Sequence, residues 1–263
     1  MAERPTWSPE TVDVDRPNAA RMYDYFLGGS HNFAVDREAA RNAAQAFPGM
    51  AAILRTNRTF LRRSVRYLAE QGVDQFLDLG SGIPTVGNVH EIARDANVVY
   101  VDVEPIAVAH AQTILDDMPR TLAVQADLRS PEAILSSPEV RALIDFDRPV
   151  GVLMVAVLHF VPERDDPAGI IARYRDALAP GSHLVVSHGT QEGLSAAERA
   201  DFEAVKSIYD RTASPVTVRT PADIASWFDG FELVEPGVVR LSEWRPDGDT
   251  EWTPWFAGVG RKP

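Results

Sequence analysis

Short apolar runs punctuate the middle of the chain at 75–79, 98–102, 121–125, 150–156 and 183–187. Between them lie stretches with helical spacing, at about 86–96, 105–117, 131–143 and 167–178. Runs this short and this continuously apolar predict strands buried on both faces, and their alternation with helices predicts a parallel sheet covered on both sides. Pro180-Gly181 supplies a turn from the last helix into the strand His183–Ser187.

The flanks differ from this middle. Residues 1–17 hold three prolines and several charges without a period, and are expected to form an extended or mobile arm. A short helix is expected over 18–29, carrying Met22, Tyr23, Phe26 and Leu27 and stopped by Gly28-Gly29. Another is expected from Asp36 to Ala46. A clearer one runs from Asn57 to Gln71, with Phe60, Leu61, Val65 and Leu68 on one face and Gly72 past its end. Towards the C-terminus, 195–211 is a polar amphipathic helix with Phe202, Val205 and Ile208 facing inward, and 221–228 fits a short helix. Two strands, Phe231–Val239 and Trp255–Gly260, then flank a turn-rich connection at 240–254, so the sheet should finish as an antiparallel pair. The expected organisation is an N-terminal arm and helical cap over 1–56 and a core over 57–263, with a helical insertion at about 189–220.

Composition narrows the chemistry. The 263 residues suffice for one large α/β domain or a domain with a cap. A formal charge of −12 argues against a nucleic-acid partner, since phosphates call for a basic surface. The one basic cluster, Arg55, Arg58, Arg62, Arg63 and Arg66, is read as a solvated helix face. The absence of cysteine excludes disulfides, thiolate nucleophiles and cysteine-bound zinc. No metal spacing accompanies His183 and His188, and there is no G-x-S-x-G elbow for hydrolase chemistry. No apolar run is long enough to span a membrane and MAERPTWSPE lacks an apolar signal core, so a cytoplasmic protein is expected.

The chemistry concentrates at the strand ends. Phe76-Leu77-Asp78-Leu79-Gly80-Ser81-Gly82 is a strand breaking into a glycine turn. Val98-Val99-Tyr100-Val101-Asp102 is the next strand, ending in an acid. Strand, glycine turn, helix, strand and acid is how α/β proteins grip a nucleoside, with the acid accepting ribose hydroxyls. A dinucleotide site would show a third glycine, but that position holds Thr85 after Pro84. Asp78 would repel phosphates, yet it can hold a cation and organise the loop. S-adenosylmethionine suits this set, because its ammonium and sulfonium are positive and its ribose meets Asp102. Gln125-Ala126-Asp127-Leu128 ends the third strand, where a carboxylate can accept the adenine amino proton beside the Leu128 backbone. Met154-Val155-Ala156-Val157-Leu158-His159-Phe160 ends the fourth and faces the adenine and the reacting methyl.

In this order, DLGSG, VDVEP, QADL, VAVLHFVP and APGSHLVVS resemble the successive motifs of class I S-adenosylmethionine-dependent methyltransferases over residues 60–263. RPNAARMYDYFLGGSHNFAVDREAA and NRTFLRR further resemble the N-terminal block of a bacterial family of S-adenosyl methyltransferases with undefined substrates. The resemblance implies a Rossmann-like, seven-stranded, mostly parallel sheet with a C-terminal antiparallel hairpin and an N-terminal helical cap. It implies S-adenosyl-L-methionine as cofactor and S-adenosyl-L-homocysteine as product. Cofactor contacts are then expected from Asp78, Gly80, Ser81, Gly82, Asp102, Val103, Asp127, Leu128 and Ala156. Ile83-Pro84-Thr85 departs from relatives that continue with small residues.

Several positions admit two readings. Asp78 is a cofactor ligand or a structural acid; Asp127 meets adenine or caps a turn. Tyr23 and Tyr25 either touch the cofactor from a closing cap or pack a helix on the core. Arg21 meets a carboxylate of cofactor or substrate, or forms a surface ion pair. His159 is a general base or a core-edge histidine, and His188 is a weaker candidate for the same role. Trp227, Trp244, Trp252 and Trp255 either pack the terminal hairpin or wall a planar substrate. The expected reaction is methyl transfer to an oxygen or nitrogen of a small molecule, with no nucleic acid, membrane or metal involved. A non-catalytic binder of the cofactor and a nucleotide-dependent oxidoreductase are the alternatives. Oligomeric state stays open.

Overall fold

Alternation of apolar runs and helices builds the expected sheet in the computed structural model, which describes residues 13–84, 87–248 and 251–263. Residues 1–12 of the expected arm and Thr85 lie outside the described residues. The parallel strands are β1 (Gln75–Leu79), β2 (Asn97–Asp102), β3 (Thr121–Gln125), β4 (Gly151–Val155) and β5 (His183–His188). β6 (Glu232–Leu233) and β7 (Val239–Arg240) are two-residue pieces, and β8 (Phe256–Arg261) runs antiparallel to β5, β6 and β7. The order is β3-β2-β1-β4-β5-β8-β6, with β7 also on β8. β8 thus inserts between β5 and its own hairpin partner.

The expected strand 231–239 is interrupted. Pro236 cannot donate to a ladder, and Gly237, at φ +91°, closes a turn by donating its N–H to the Val234 carbonyl at 2.9 Å. The two short pieces on either side occupy one strand's place, so seven or eight strands describe the same sheet.

Ten α-helices are present among the described residues. α1 (Ala19–Phe26), α2 (Ala34–Ala46) and α3 (Met50–Glu70) precede the sheet. α4 (Val89–Ile92), α5 (Pro105–Leu115), α6 (Pro131–Leu135), α7 (Pro138–Leu143) and α8 (Pro167–Ala177) join the parallel strands, and α9 (Ala196–Tyr209) and α10 (Pro221–Ser226) follow β5. The helix expected over 131–143 is two, because Pro138 at the second one's start lacks the N–H that would continue the first. The helix expected over 86–96 is a single turn held by a reciprocal cap between Asn88 and Glu91. α3 begins seven residues earlier than expected, so it crosses the expected cap–core boundary without a break.

Side chains alternate across each strand, so neighbouring residues feed opposite faces. Phe76, Val98, Leu153 and Val185 pack under α1, α2, α3 and α9. Leu77, Leu79, Val99, Val152 and Met154 pack under α6, α7 and α8. Cap and sheet therefore share one core. The expected arm is anchored at its end: Val14 is buried with Phe33, Ile83, Ile106 and Ala107. That contact also accounts for Ile83, which pins the glycine turn to α5.

Candidate active site

In an open α/β sheet, ligands bind where strand order reverses, outside the carboxyl ends. Here the reversal lies between β1 and β4, since the chain goes outward through β2 and β3 and returns to β4 on β1's other side. A cavity of about 360 Å³ opens at that point. It is lined by Asp78 within β1 and Gly80, Ser81 and Gly82 after it, Asp102 at the end of β2 and Val103 after it, Asp127 and Leu128 after β3, Ala156 and His159 after β4, and Tyr23 from α1.

Two glycines serve different ends. Gly80 has φ +74°, and a Cβ there would overlap the Val157 side chain, so β1 and β4 can close only over a glycine. Gly82 has φ +65°, but a Cβ there would meet nothing within 4 Å. Its missing side chain keeps space open in the cavity. Ala156 also has a positive φ, +58°, a strained conformation held at the end of β4.

The Asp102 carboxylate is organised by backbone. Oδ2 accepts the Gly82 N–H at 2.7 Å and Oδ1 accepts the Glu104 N–H at 2.8 Å. Burial pushes its pKa up against those hydrogen bonds. Burial likewise raises Asp78 to about 7, opposed by Arg58 and reinforced by Asp102. Both acids are thus poised to gain from a cationic or hydroxyl-bearing ligand. At Asp127 burial works upward, but hydrogen bonds from Arg129 outweigh it and hold the carboxyl below its usual range. Arg129 grips Asp127 at 2.6 Å and reaches Asp165 at 2.8 Å. Val103 is 61% exposed, an apolar surface at the cavity.

The cap is held by buried charge. Arg21, expected on the surface, is buried between Asp36 at 2.9 Å and Glu104 at 2.8 Å. Asn18 donates its side-chain amide to Glu104 at 2.8 Å, and its backbone N–H to Asp36 at 2.9 Å. Glu104 follows Asp102 by two residues, so the cap is fixed to the segment that carries the expected ribose acid. Tyr25 does not line the cavity. It lies two positions from Tyr23, which places it on the other side of α1, packed beside Phe26.

A relay that sequence reasoning missed joins cap to sheet. The Ala156 N–H donates to Ser187 Oγ at 2.9 Å, and Ser187 Oγ donates to Asn57 Oδ1 at 2.6 Å. Asn57 Nδ2 donates to the Tyr23 hydroxyl at 3.1 Å, which donates to the Leu54 carbonyl at 3.2 Å. Polar Asn57 within an apolar helix face was the available signal. The expected basic face of α3 also divides: Arg63 is buried and donates to the Trp244 carbonyl, while Arg62 and Arg66 reach Asp247.

Beyond Ala156 the lining becomes aromatic. The His159 ring lies 4.3 Å from Phe160 and 5.3 Å from Trp255, and Phe160 lies 6.2 Å from Tyr209 on α9, centroid to centroid. Burial, helped by Arg219, lowers His159 to about 3, so its imidazole is neutral. His188 does not line the cavity. Arg219, a pure donor, lies 3.2 Å from His188 Nε2, which must accept, so His188 Nδ1 carries the proton and donates to the Gly189 carbonyl at 2.7 Å. Arg219 also donates to Glu163 and to the carbonyls of Leu158 and Val161, fixing the segment that carries His159. Of the late tryptophans, Trp227 and Trp244 are buried core, Trp252 is 47% exposed away from this cavity, and Trp255 alone lines it.

The S-adenosyl methyltransferase family profile matches residues 5–263. The chain belongs to that family. It is an S-adenosylmethionine-dependent methyltransferase, which sets aside the oxidoreductase reading. A protein from Thermobifida fusca YX, provisionally called a methyltransferase, is 42% identical with a TM-score of 0.90, over 98% of this chain and 99% of that one. A DUF574 family protein from Streptomyces avermitilis MA-4680 is 38% identical with a TM-score of 0.90, over 95% and 99%. Magnesium protoporphyrin IX methyltransferase from Synechocystis PCC 6803, with bound S-adenosylhomocysteine, shares the fold at 16% identity and a TM-score of 0.55, over 92% and 93%. No curated protein matches the chain. Among the described residues no helix is long and apolar enough to cross a membrane, and no three His, Cys, Asp or Glu side chains group so as to hold a metal ion.

Proposed function

We propose that this cavity holds S-adenosylmethionine at the β1/β4 crevice and presents its methyl group to an oxygen or nitrogen of a small molecule. The convergence of Asp78, Asp102 and Asp127 with the Gly80–Gly82 turn in one cavity carries this reading. The residues fit the cofactor's chemistry. Asp78 offers a carboxylate for the ammonium. Each Asp102 oxygen has accepted one backbone N–H and retains a lone pair for a ribose hydroxyl. Val103 covers an adenine face, and Asp127 with the Leu128 backbone addresses its edge. Tyr23 and Ala156 close the site from the cap and from β4.

When bound, the cofactor supplies a methyl group already activated on a sulfonium. The chain's part is then to align the acceptor and exclude water, which can account for most of a methyl transfer's acceleration. His159 is too weak a base to ionise a resting hydroxyl. It can take a proton late, once bonding at the acceptor oxygen has made that proton strongly acidic. A small acceptor is favoured because the chain is acidic and α9 walls the acceptor side.

Calorimetric titration with S-adenosylhomocysteine tests the site. Wild type is expected to bind on the micromolar scale and Asp102→Ala to lose at least about tenfold, the cost of roughly one charge-assisted hydrogen bond. Undiminished binding by Asp102→Ala would remove the ribose assignment. Detectable NADH binding by the wild type would count against the cavity's discrimination.

A further inference from the structure

The cavity is chemically two-sided. Its four acidic lining residues, Asp78, Asp102, Glu104 and Asp127, all lie in or just after β1, β2 or β3. On the side built by the end of β4, α9 and residues 213–216, the charged lining residues are Arg164 and Lys206. No carboxylate among the described lining residues faces an acceptor there. Lys206 is paired with Asp210 at 2.8 Å and Arg164 with Asp165 at 3.8 Å, so a cationic amine placed on that side would be desolvated without a free counter-ion.

That same side is aromatic. His159, Phe160 and Tyr209 form a chain of ring contacts with Trp255 against His159. Phe202, Val205 and Val216 extend the apolar surface. Such a wall rewards a flat ring by offset stacking and edge contact. The His159 imidazole brings a polar group into it. The His159 ring makes no hydrogen bond, and Nδ1 is the nitrogen buried without a partner, so Nε2 is the one left to meet a ligand.

Resting on the cofactor site proposed above, we infer that the methyl acceptor is a planar aromatic hydroxyl compound without positive charge, methylated on its oxygen. The aromatic wall holds the ring, and His159 meets the hydroxyl. The phenolic oxygen forms a bond to the methyl carbon as the carbon–sulfur bond breaks. The electron pair of that bond goes to sulfur, leaving a neutral thioether. The phenolic proton passes to His159 Nε2 and then to solvent. The depressed basicity of His159, beside Arg219, favours that prompt release.

The test is calorimetry on protein saturated with S-adenosylhomocysteine, after that saturation has been measured on the same sample. Naphthol and hydroxycoumarin are the aromatic hydroxyl probes. Cyclohexanol removes the flat ring, and naphthylmethylamine keeps it but adds a cation. At least one phenol should bind roughly tenfold or more tighter than both comparison compounds. Phe160→Ala and Trp255→Ala should each weaken the phenol by about tenfold while S-adenosylhomocysteine affinity stays within about twofold. Incubation with the methyl donor should yield the aryl methyl ether by mass spectrometry. The inference is overturned if the amine binds as well as the phenols, or if no phenol binds to protein that demonstrably holds S-adenosylhomocysteine. Failure to hold S-adenosylhomocysteine would instead overturn the cofactor site beneath it.

Discussion

Single residues set what this cavity can admit. Gly80 and Gly82 sit two positions apart with similar positive φ values, yet a Cβ has different consequences at each. At Gly80 it strikes Val157 and forces β1 from β4. At Gly82 it projects into open space. Gly80→Ala should therefore cost about 2–4 kcal/mol of stability, from overpacking added to left-handed backbone strain. Gly82→Ala should cost only about 1–2 kcal/mol, the backbone contribution alone, while weakening S-adenosylhomocysteine binding. Urea denaturation and calorimetry on both variants would check the contrast; equal stability losses would contradict it. Tyr23 and Tyr25 show the same dependence on place, since both have the right chemistry and α1 turns one away.

Among elements, the junction of α1 and α2 with the end of β2 depends on one buried cation. Arg21 is 2% exposed and balances Asp36 and Glu104. Removing it leaves two carboxylates buried without a counter-charge, a loss of roughly 3–5 kcal/mol. Arg21→Ala should lower the urea midpoint by that measure. Arg21→Met combined with Asp36→Asn and Glu104→Gln should recover much of it, because no unpaired charge remains. Hydrogen exchange should show α1 and α2 loosened before the parallel strands in the single variant. Full retention of stability by Arg21→Ala would mean that the triad does not hold the cap. The sequence placed α1 and α2 correctly, but their attachment to β2 lies 83 residues along the chain from Arg21.

At the scale of the whole molecule, buried titratable groups pull stability in opposite directions with pH. His159, His183 and His188 are depressed by burial, to about 3, to about 4 and well below the ordinary value respectively. A depressed histidine keeps its stability above the unfolded value of about 6.5 and loses it as pH falls, since the unfolded chain takes the proton first. Asp24, Asp78, Asp102 and Glu104 are raised by burial. Their contribution runs the other way, present at low pH and lost as pH rises. The net curve sums both, so a difference between variants is the cleaner measurement. Relative to wild type, His183→Gln should lose less stability on acidification from about pH 6.5 to 4, by roughly 1.4 kcal/mol per pH unit. Parallel denaturation curves for the two proteins across that range would refute the assignment to His183.

The order of strands and helices, the glycine turn after β1 and the acids at three strand ends are legible in the residues alone. Those signals are local: apolar runs of strand length, glycines where φ is positive, and a carboxylate one strand later. The tertiary structure decided the rest. It divided 131–143 at Pro138 and broke the penultimate strand at Pro236-Gly237. It buried Arg21 and Arg63, turned Tyr25 from the cavity, and brought Asn57, Ser187 and Arg219 to the site. It also separated an acidic side of the cavity from an aromatic one. Each of these depends on which residues, distant along the chain, share a small volume. Burial, and with it the cost of an unpaired charge or the value of a ring contact, exists only once the chain has closed on itself.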